Sequence, residues 1–481
     1  MSDKRVTEDP RSSTALNAAA RPAPIPCDIL ITNGYVVSMD ERRRVFPHGA
    51  VAVADGRIVE VGPDREVTPR FSASRVIDAA GAPVCPGFID AHAHVSLHTT
   101  RGAFPDNAPE AEYMAFYTRW MNALEADDEY ASTLLASLEM LRNGVTCFLE
   151  PGTVFEPDAA ASAALKIGIR ASLADPYLWD RQAVGGHELD RARIDGALAR
   201  RLLGGQLTRN SDPDSLVRGH VGLYGMGTAS DELEIAAKAC ADEHGVILTQ
   251  HQSFHPDDVK DDDDRYGRHA LLHLADLGVL GANSTFAHMN FVRDDEVDRV
   301  VGSDLSIVWN PGNYLNYGIG SEVSLRMAEL HRRGVTVGVG TDVAKVWGFG
   351  EQGFLGYLAT REKGDFLSAE EILEIATRNG ARAAGLEDRI GSLEPGKRAD
   401  IVVLRSDIPE LNPSLDPIRT LVLVGRSKAV DTVMVDGRVV VDRGRATLVD
   451  EEDVYAVAGQ SARRMAERVG LHPGSVWPTI D

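Results

Sequence analysis

An α/β fold, an eight-stranded (β/α)8 TIM-like barrel beside a small β-sandwich made from both chain ends, is predicted by three observations. From about Val84 to Gly385, apolar strand-like runs alternate with amphipathic helical ones, the texture of a parallel sheet with helical crossovers. Those runs count to eight. Four of them end in histidine or aspartate, and the carboxyl ends of barrel strands are where chemistry-bearing groups collect.

The first run, Pro86-Gly87-Phe88-Ile89-Asp90-Ala91-His92-Ala93-His94, closes on two histidines one residue apart. Side chains alternate along a strand, so His92 and His94 point the same way and can chelate one ion. Strands two, three and four are read at 145–149, 169–173 and 220–224. Strand five, 246–251, ends in His251; strand six, 284–288, ends in His288; strand seven is 305–309; and strand eight, 335–342, ends in Asp342. Helices between them include 128–143, stopped by Gly144, and 230–244, stopped by Gly245.

On either side of the barrel the texture turns to short β-runs. Residues 28–80 carry four of them with Asn33-Gly34 and Asp55-Gly56 turns, and residues 399–441 repeat the pattern with an Asp436-Gly437 turn. Each half is too short to bury a core alone, so the two should pair. The expected organisation is a disordered tail over 1–26, sandwich over 27–80, barrel over 81–390, sandwich again over 391–450, and a C-terminal helix and tail over 451–481. That helix should dock on the surface or at a subunit contact.

A chain of 481 residues that is 43% apolar can bury a large core. Its net charge of -22 argues against nucleic acid or an anionic membrane as partner. The acidic run from Asp257 to Asp264 lacks the spacing of a calcium loop and reads as a solvated loop after strand five. Cys27, Cys85, Cys147 and Cys240 show no Cys-x-x-Cys spacing, and Cys85 and Cys147 lie in apolar runs that read as buried. The first 26 residues contain no signal-peptide core, and no run approaches the ~18 apolar residues of a membrane span. The expectation is a soluble, cytoplasmic protein acting on a small molecule.

Three imidazoles and one carboxylate, His92, His94, His251 and Asp342, make a site suited to Zn2+, with Fe2+, Co2+ or Mn2+ as alternatives. Such an ion would hold a water and lower its pKa toward roughly 7. Asp342 can then accept the water's proton and pass it to the leaving group, while His288 orients the water or stabilises developing charge.

The motifs together resemble the amidohydrolase superfamily, and within it the branch of triazine chlorohydrolases and adenosine-derivative deaminases. They are Pro-Gly-Phe-Ile-Asp-x-His-x-His at 86–94, Arg101-Gly102, Gly144-Val145-Thr146, Gly340-Thr341-Asp342, the segment 376–381, and the segment 391–401. The resemblance implies the barrel and the sandwich, the ligand set above, the roles given above to Asp342 and His288, and a homo-oligomer. Binuclear members carry a carboxylated lysine on strand four; residues 220–226 contain none, which implies one metal.

One departure bears on substrate. Members acting on ring amidines usually place Glu three residues after the strand-five histidine, where it protonates a ring nitrogen; here Phe254 stands there. A ring substrate would have to draw its proton from Gln252, His255 or water, and a glutamine amide does not supply one readily. Trp309-Asn310-Pro311-Gly312-Asn313-Tyr314 also departs from the deaminase pattern, which has a His and a Ser-Asn pair after strand seven. Substrate contacts are expected from Gln252, Phe254, His255, Trp309, Asn310 and Tyr314, with Trp347, Phe349, Trp120 and Tyr117 as further aromatics and His98 as a loop or pocket residue. An apolar mouth without a ring acid suits the carbonyl of an aryl or apolar amide, urea or (thio)carbamate, as in the phenylurea and thiocarbamate hydrolases that this chain resembles. Hydrolytic deamination or dechlorination of a purine, pterin or s-triazine ring is the alternative, and a barrel that has lost its chemistry is the third reading.

Overall fold

The computed structural model describes residues 23–104, 110–182, 189–343, 351–471 and 477–478. Most of the expected N-terminal tail lies outside the described residues, and a strand, Ile25–Val37, already begins within its last two positions.

Among the described residues the barrel strands are one, Phe88–Asp90; two, Val145–Glu150; three, Arg170–Leu173; and four, split into Val217–Gly219 and Val221–Gly225. Strand five is Leu248–Gln252, six Ser284–His288, seven Ser306–Trp309 and eight Thr336–Val339. Neighbouring strands pair in parallel throughout. The two hydrogen-bonded stretches meet at His220, whose N–H donates to Leu173 O at 3.1 Å while Val221 N–H donates to Ile247 O at 3.2 Å. Strand eight returns to strand one through Ala91 N–H to Val339 O, 3.0 Å, and Asp342 N–H to His92 O, 2.8 Å. These bonds close the eight-stranded ring. Most of its residues are buried, the near-continuous apolar texture of strands covered on both faces.

Strand one is shorter than its sequence suggests. It ends at Asp90, and His92 and His94 lie beyond it, held extended by the seam with strand eight, where His94 N–H also donates to Asp342 O at 3.1 Å. Helix signals were more literal. Ala126–Arg142 is followed by Gly144 at φ 81°, and Asp231–His244 starts with Ser230 Oγ accepting Leu233 N–H and stops at Gly245 in the left-handed region.

The acidic run is a correction: it forms the helix Pro256–Tyr266, not a loop. Pro256 opens it, His255 Nδ1 accepts Asp257 N–H at 3.2 Å, and the Asp258 carboxylate accepts His255 N–H at 2.9 Å. Like-charge repulsion along the run is offset by Lys260–Asp264 at 2.6 Å and Arg265–Asp261 at 2.5 Å, both one helical turn apart.

The chain ends combine in one nine-stranded sheet among the described residues. Pro83–Pro86 joins its halves, lying parallel to Ile25–Val37 and antiparallel to Ile401–Leu404. A bidentate pair ties sheet to barrel: Arg170 on strand three donates through Nε and Nη2 to Asp400, both at 3.0 Å, with each side chain 1% exposed. The C-terminal helix Glu451–Arg468 packs on Ala126–Arg142, where buried Asp128 accepts from Ser461, Arg464 and Arg468. Cys27, Cys85 and Cys147 are buried free thiols, and among the described residues no helix is long and apolar enough to cross a membrane.

Candidate metal centre and its aromatic wall

At the carboxyl ends of strands one, five, six and eight, four imidazoles and a carboxylate converge. Ligand atoms of His92, His94 and Asp342 lie within 4.8 Å of one another, as do those of His92, His251 and His288. His94 Nε2 is 3.0 Å from Asp342 Oδ1, and His288 Nε2 is 3.7 Å from Asp342 Oδ2. All five residues are buried. Backbone strain accompanies them, since Ser253, His288 and Asp342 take left-handed φ of 52°, 73° and 57°.

Surrounding groups fix the imidazole faces. His94 Nδ1–H donates to Thr153 Oγ1 at 3.1 Å, and that hydroxyl donates to buried Glu150. His251 Nδ1–H donates to Tyr224 O at 2.7 Å. Both rings therefore turn a bare Nε2 inward, and the two nitrogens face each other at 3.4 Å. Two lone pairs at that distance repel unless a cation lies between them. His92 Nε2 is likewise buried with no hydrogen-bond partner. The donor set fits a divalent ion held by His92, His94, His251 and Asp342.

Electrostatics agree with that fit. Burial first, then the neighbouring imidazoles, pushes His251 down to about 3 and His92 well below its ordinary value, and burial pushes His288 down to about 4. These rings are neutral, as metal ligands must be. Burial alone would raise Asp342, but its contacts with the imidazoles of His94, His288 and His92 hold it well below the usual carboxylate range. Behind the seam, Asp90 accepts Thr341 N–H at 3.0 Å and Thr341 Oγ1–H at 2.7 Å, and burial raises its carboxyl to about 7.

The expected substrate residues divide. Phe254 lies beside His288, ring centroids 4.5 Å apart, and Asn310 Nδ2 donates to His288 Nδ1 at 3.2 Å. That bond leaves the His288 Nε2 proton facing Asp342. Gln252 is buried and its side chain donates to Ser253 Oγ at 3.5 Å; His255 caps its helix through Nδ1. Trp309 belongs, with Ile307, to the apolar cluster against the outer helices, and Tyr314 is in the same cluster, 2% exposed. His98 is buried against Glu139 at 2.8 Å, and Trp120 packs in a cluster with Phe116 and Trp179. Trp347 and Phe349 lie outside the described residues.

Two groups were missed from sequence. Asn313 donates to Asp342 Oδ2, a role hidden because its motif was read for Trp309, Asn310 and Tyr314. The other is a set of tyrosines, of which only Tyr117 was expected from sequence. Tyr224 rests on His251 with centroids 5.2 Å apart, Tyr177 meets Tyr224 edge-on at 4.6 Å, and Tyr317 lies 5.6 Å from Phe254. Tyr113 meets Tyr317 edge-on, ring centroids 5.7 Å apart. Tyr177 and Tyr224 follow strand three and end strand four, where their position beyond the strands was the available signal.

The amidohydrolase family profile matches residues 84–440. A 5-methylthioadenosine/S-adenosylhomocysteine deaminase of Desulforudis audaxviator is 33% identical over 92% of this chain and 100% of its own length. A 5'-deoxyadenosine deaminase of Methanosarcina mazei is 30% identical over 92% of this chain and 99% of its own. Among solved structures, an adenosine deaminase from Xanthomonas campestris with bound zinc is similar at TM-score 0.83 and 26% identity, covering 92% of this chain and all of that one. Atrazine chlorohydrolase from Arthrobacter aurescens TC1, complexed with zinc, is similar at TM-score 0.80 and 26% identity, covering 90% and 100%.

Proposed function

The chain belongs to the amidohydrolase family, and on that premise we propose that it is a zinc-dependent hydrolase that displaces an amine from a carbon of a nitrogen heteroaromatic ring. The observation that carries this reading is the inward-facing His92–His94–His251–Asp342 set beneath a wall of aromatic rings. Relatives named as deaminases of adenosine derivatives, aligned over nearly the whole chain, support it, and the zinc in similar structures supports the choice of metal. The earlier preference for an amide or urea carbonyl gives way on this weight.

When bound, the metal supplies Lewis acidity and makes hydroxide available near neutral pH. The protein's own groups do the rest. Asp342, anionic and 3.0 Å from His94, takes the proton of the attacking water and returns it to the departing amine. Asn313 holds Asp342 in place, and His288, its Nε2 proton directed inward by Asn310, is placed to orient the attacking water. The aromatic wall presents flat apolar faces that suit a heteroaromatic ring and exclude water from it.

Phe254 favours one second reading, hydrolysis of a carbonyl compound, which needs no acid at a ring nitrogen. A panel of adenosine derivatives, triazines, aryl amides and ureas given to the zinc-loaded protein distinguishes the two. Ammonia or amine from ring substrates is expected; amine from amides or ureas alone overturns the ring reading.

A further inference from the structure

The barrel has a second chamber, at the end opposite the metal centre. A cavity of about 470 Å³ opens among the amino ends of strands three to six and the segment 382–389. Its volume lies in the range of small-ligand sites, and none of the metal-binding or proton-carrying groups lines it. Four arginines do: Arg170, Arg218, Arg382 and Arg389. Of the three acidic residues beside them, Asp242 is taken by Lys238 and Asn283, and Glu387 and Asp388 are exposed.

Two of these guanidiniums are matched and two are not. Asp400 answers Arg170 at 3.0 Å, and Asp304 answers Arg382 at 2.5 Å. Half-buried Arg218 has no carboxylate within 4.0 Å among the described residues; its Nη1 donates to the carbonyls of Asp212 at 3.3 Å and Pro213 at 3.2 Å. Arg389 Nη1 donates to the same Pro213 carbonyl, so two cations rest on one neutral acceptor. Nε and Nη2 of Arg389 are buried without a hydrogen-bond acceptor, and the nearest carboxylate oxygen, on Asp214, stands 3.6 Å from Nη2. Asp214 is itself shared with Arg57 and Arg398. Five guanidiniums here, those of Arg57, Arg170, Arg218, Arg389 and Arg398, therefore meet three carboxylates, those of Asp214, Asp400 and Asp436, in a chain whose net charge is -22. Leaving buried cationic donors so poorly matched is costly unless an anion answers them.

We infer that this chamber is an anion site in which Arg218 and Arg389 grip a phosphate group, free or carried as the monoester of a small molecule. A dianion matches the excess of two positive charges, which one carboxylate would not. Its tetrahedral oxygens can accept from two guanidinium forks at once, charge-assisted bonds in place of a shared neutral carbonyl. The site stands at the far end of the barrel from the metal, so it holds or fails independently of which substrate the centre hydrolyses.

The test is calorimetric titration of the zinc-loaded full chain at constant ionic strength, with inorganic phosphate, ribose 5-phosphate, ribose and sodium chloride as probes. Saturable binding of the two phosphate probes is expected, and none of ribose or chloride. The tighter of the two then assigns the site to the free ion or to a monoester. Arg218→Gln and Arg389→Gln should each weaken that binding about 10- to 100-fold, with zinc content and melting temperature close to wild type. Repeating the titration after zinc removal separates the chamber from the metal even if neither variant folds, and binding should persist. No saturable phosphate binding at millimolar concentration, an equal response to chloride, binding that disappears with the zinc, or binding undiminished in both folded variants overturns the inference.

Discussion

Replacing Asp342 by Asn separates chemistry from architecture. Asn tolerates the left-handed backbone at φ 57° about as well as Asp, so the seam bonds of residue 342 with His92 and His94 survive. Its one side-chain oxygen can still accept from Val343 N–H, which bonds Oδ1 at 2.8 Å in the wild type, while the Asn313 bond to the other oxygen is given up. What disappears is the negative charge 3.0 Å from His94 and 3.7 Å from His288, and with it the proton carrier. Loss of one positioned acid–base group costs about 10²- to 10⁴-fold in rate, or about 3 to 5 kcal/mol of transition-state stabilisation. Steady-state kinetics on the best ring substrate, with zinc measured in the same preparation, should show kcat/KM lower by that factor while the metal-free melting temperature stays close to wild type. A variant holding its full zinc and retaining activity within about ten-fold would refute the assignment of Asp342 as proton carrier.

Other expectations follow from the same geometry. Chelation should lower the melting temperature, and re-adding zinc at about 100 times its dissociation constant should restore about 2.7 kcal/mol, measured by urea titration; an unchanged midpoint would count against the proposed centre. Burial pushes His220 down to about 3, so the unfolded chain binds its proton more tightly. The stability from keeping this ring neutral is complete above about pH 6.5 and is lost as pH falls toward 3, and His220→Gln should flatten the metal-free urea midpoint between about pH 7 and 5. A Cβ at Gly340 would stand 2.7 Å from His92 O and 2.5 Å from Asn310 Oδ1, so Gly340→Ala should cost about 1–3 kcal/mol and lower zinc occupancy. Asp400→Asn leaves the buried Arg170 guanidinium with Asp436, at 3.3 Å, in place of its bidentate partner and should cost about 3–5 kcal/mol, whereas Arg170→Met with Asp400→Leu should recover most of it; equal destabilisation of both variants would defeat that account.

The barrel was legible because its strands are short apolar runs whose last residues are polar, a pattern that survives without any knowledge of contacts. His251, His288 and Asp342 could be placed on one rim for the same reason. Strand one misled slightly: the true ladder stops at Asp90, and what keeps His92 and His94 aligned is a partner from the far end of the chain. The acidic run misled more, because composition suggested a loop while its proline, its histidine cap and its spaced Lys260 and Arg265 specified a helix. Apart from Tyr117, the tyrosine set was hidden for a geometric reason. Its members come from Glu110–Ala123, from beyond strands three and seven and from the end of strand four, and only barrel closure brings them together. Trp309 was conspicuous by type, yet the period-two alternation of strand seven turns it toward the outer helices, while Asn310, next along, faces His288.

The seam between strands one and eight also orders events in time. His92 and Asp342 are separated by about 250 residues, and their backbone bond forms only when both ends of the barrel meet, so its loop-closure entropy falls late in folding. A growing chain that has made strand one carries His92 and His94 without the carboxylate that completes the set. Such a half-site holds an ion weakly and exchanges it freely. Firm capture of the metal therefore reports that the ring has closed, and the ion acts as a latch on the finished barrel, not as a nucleus for it.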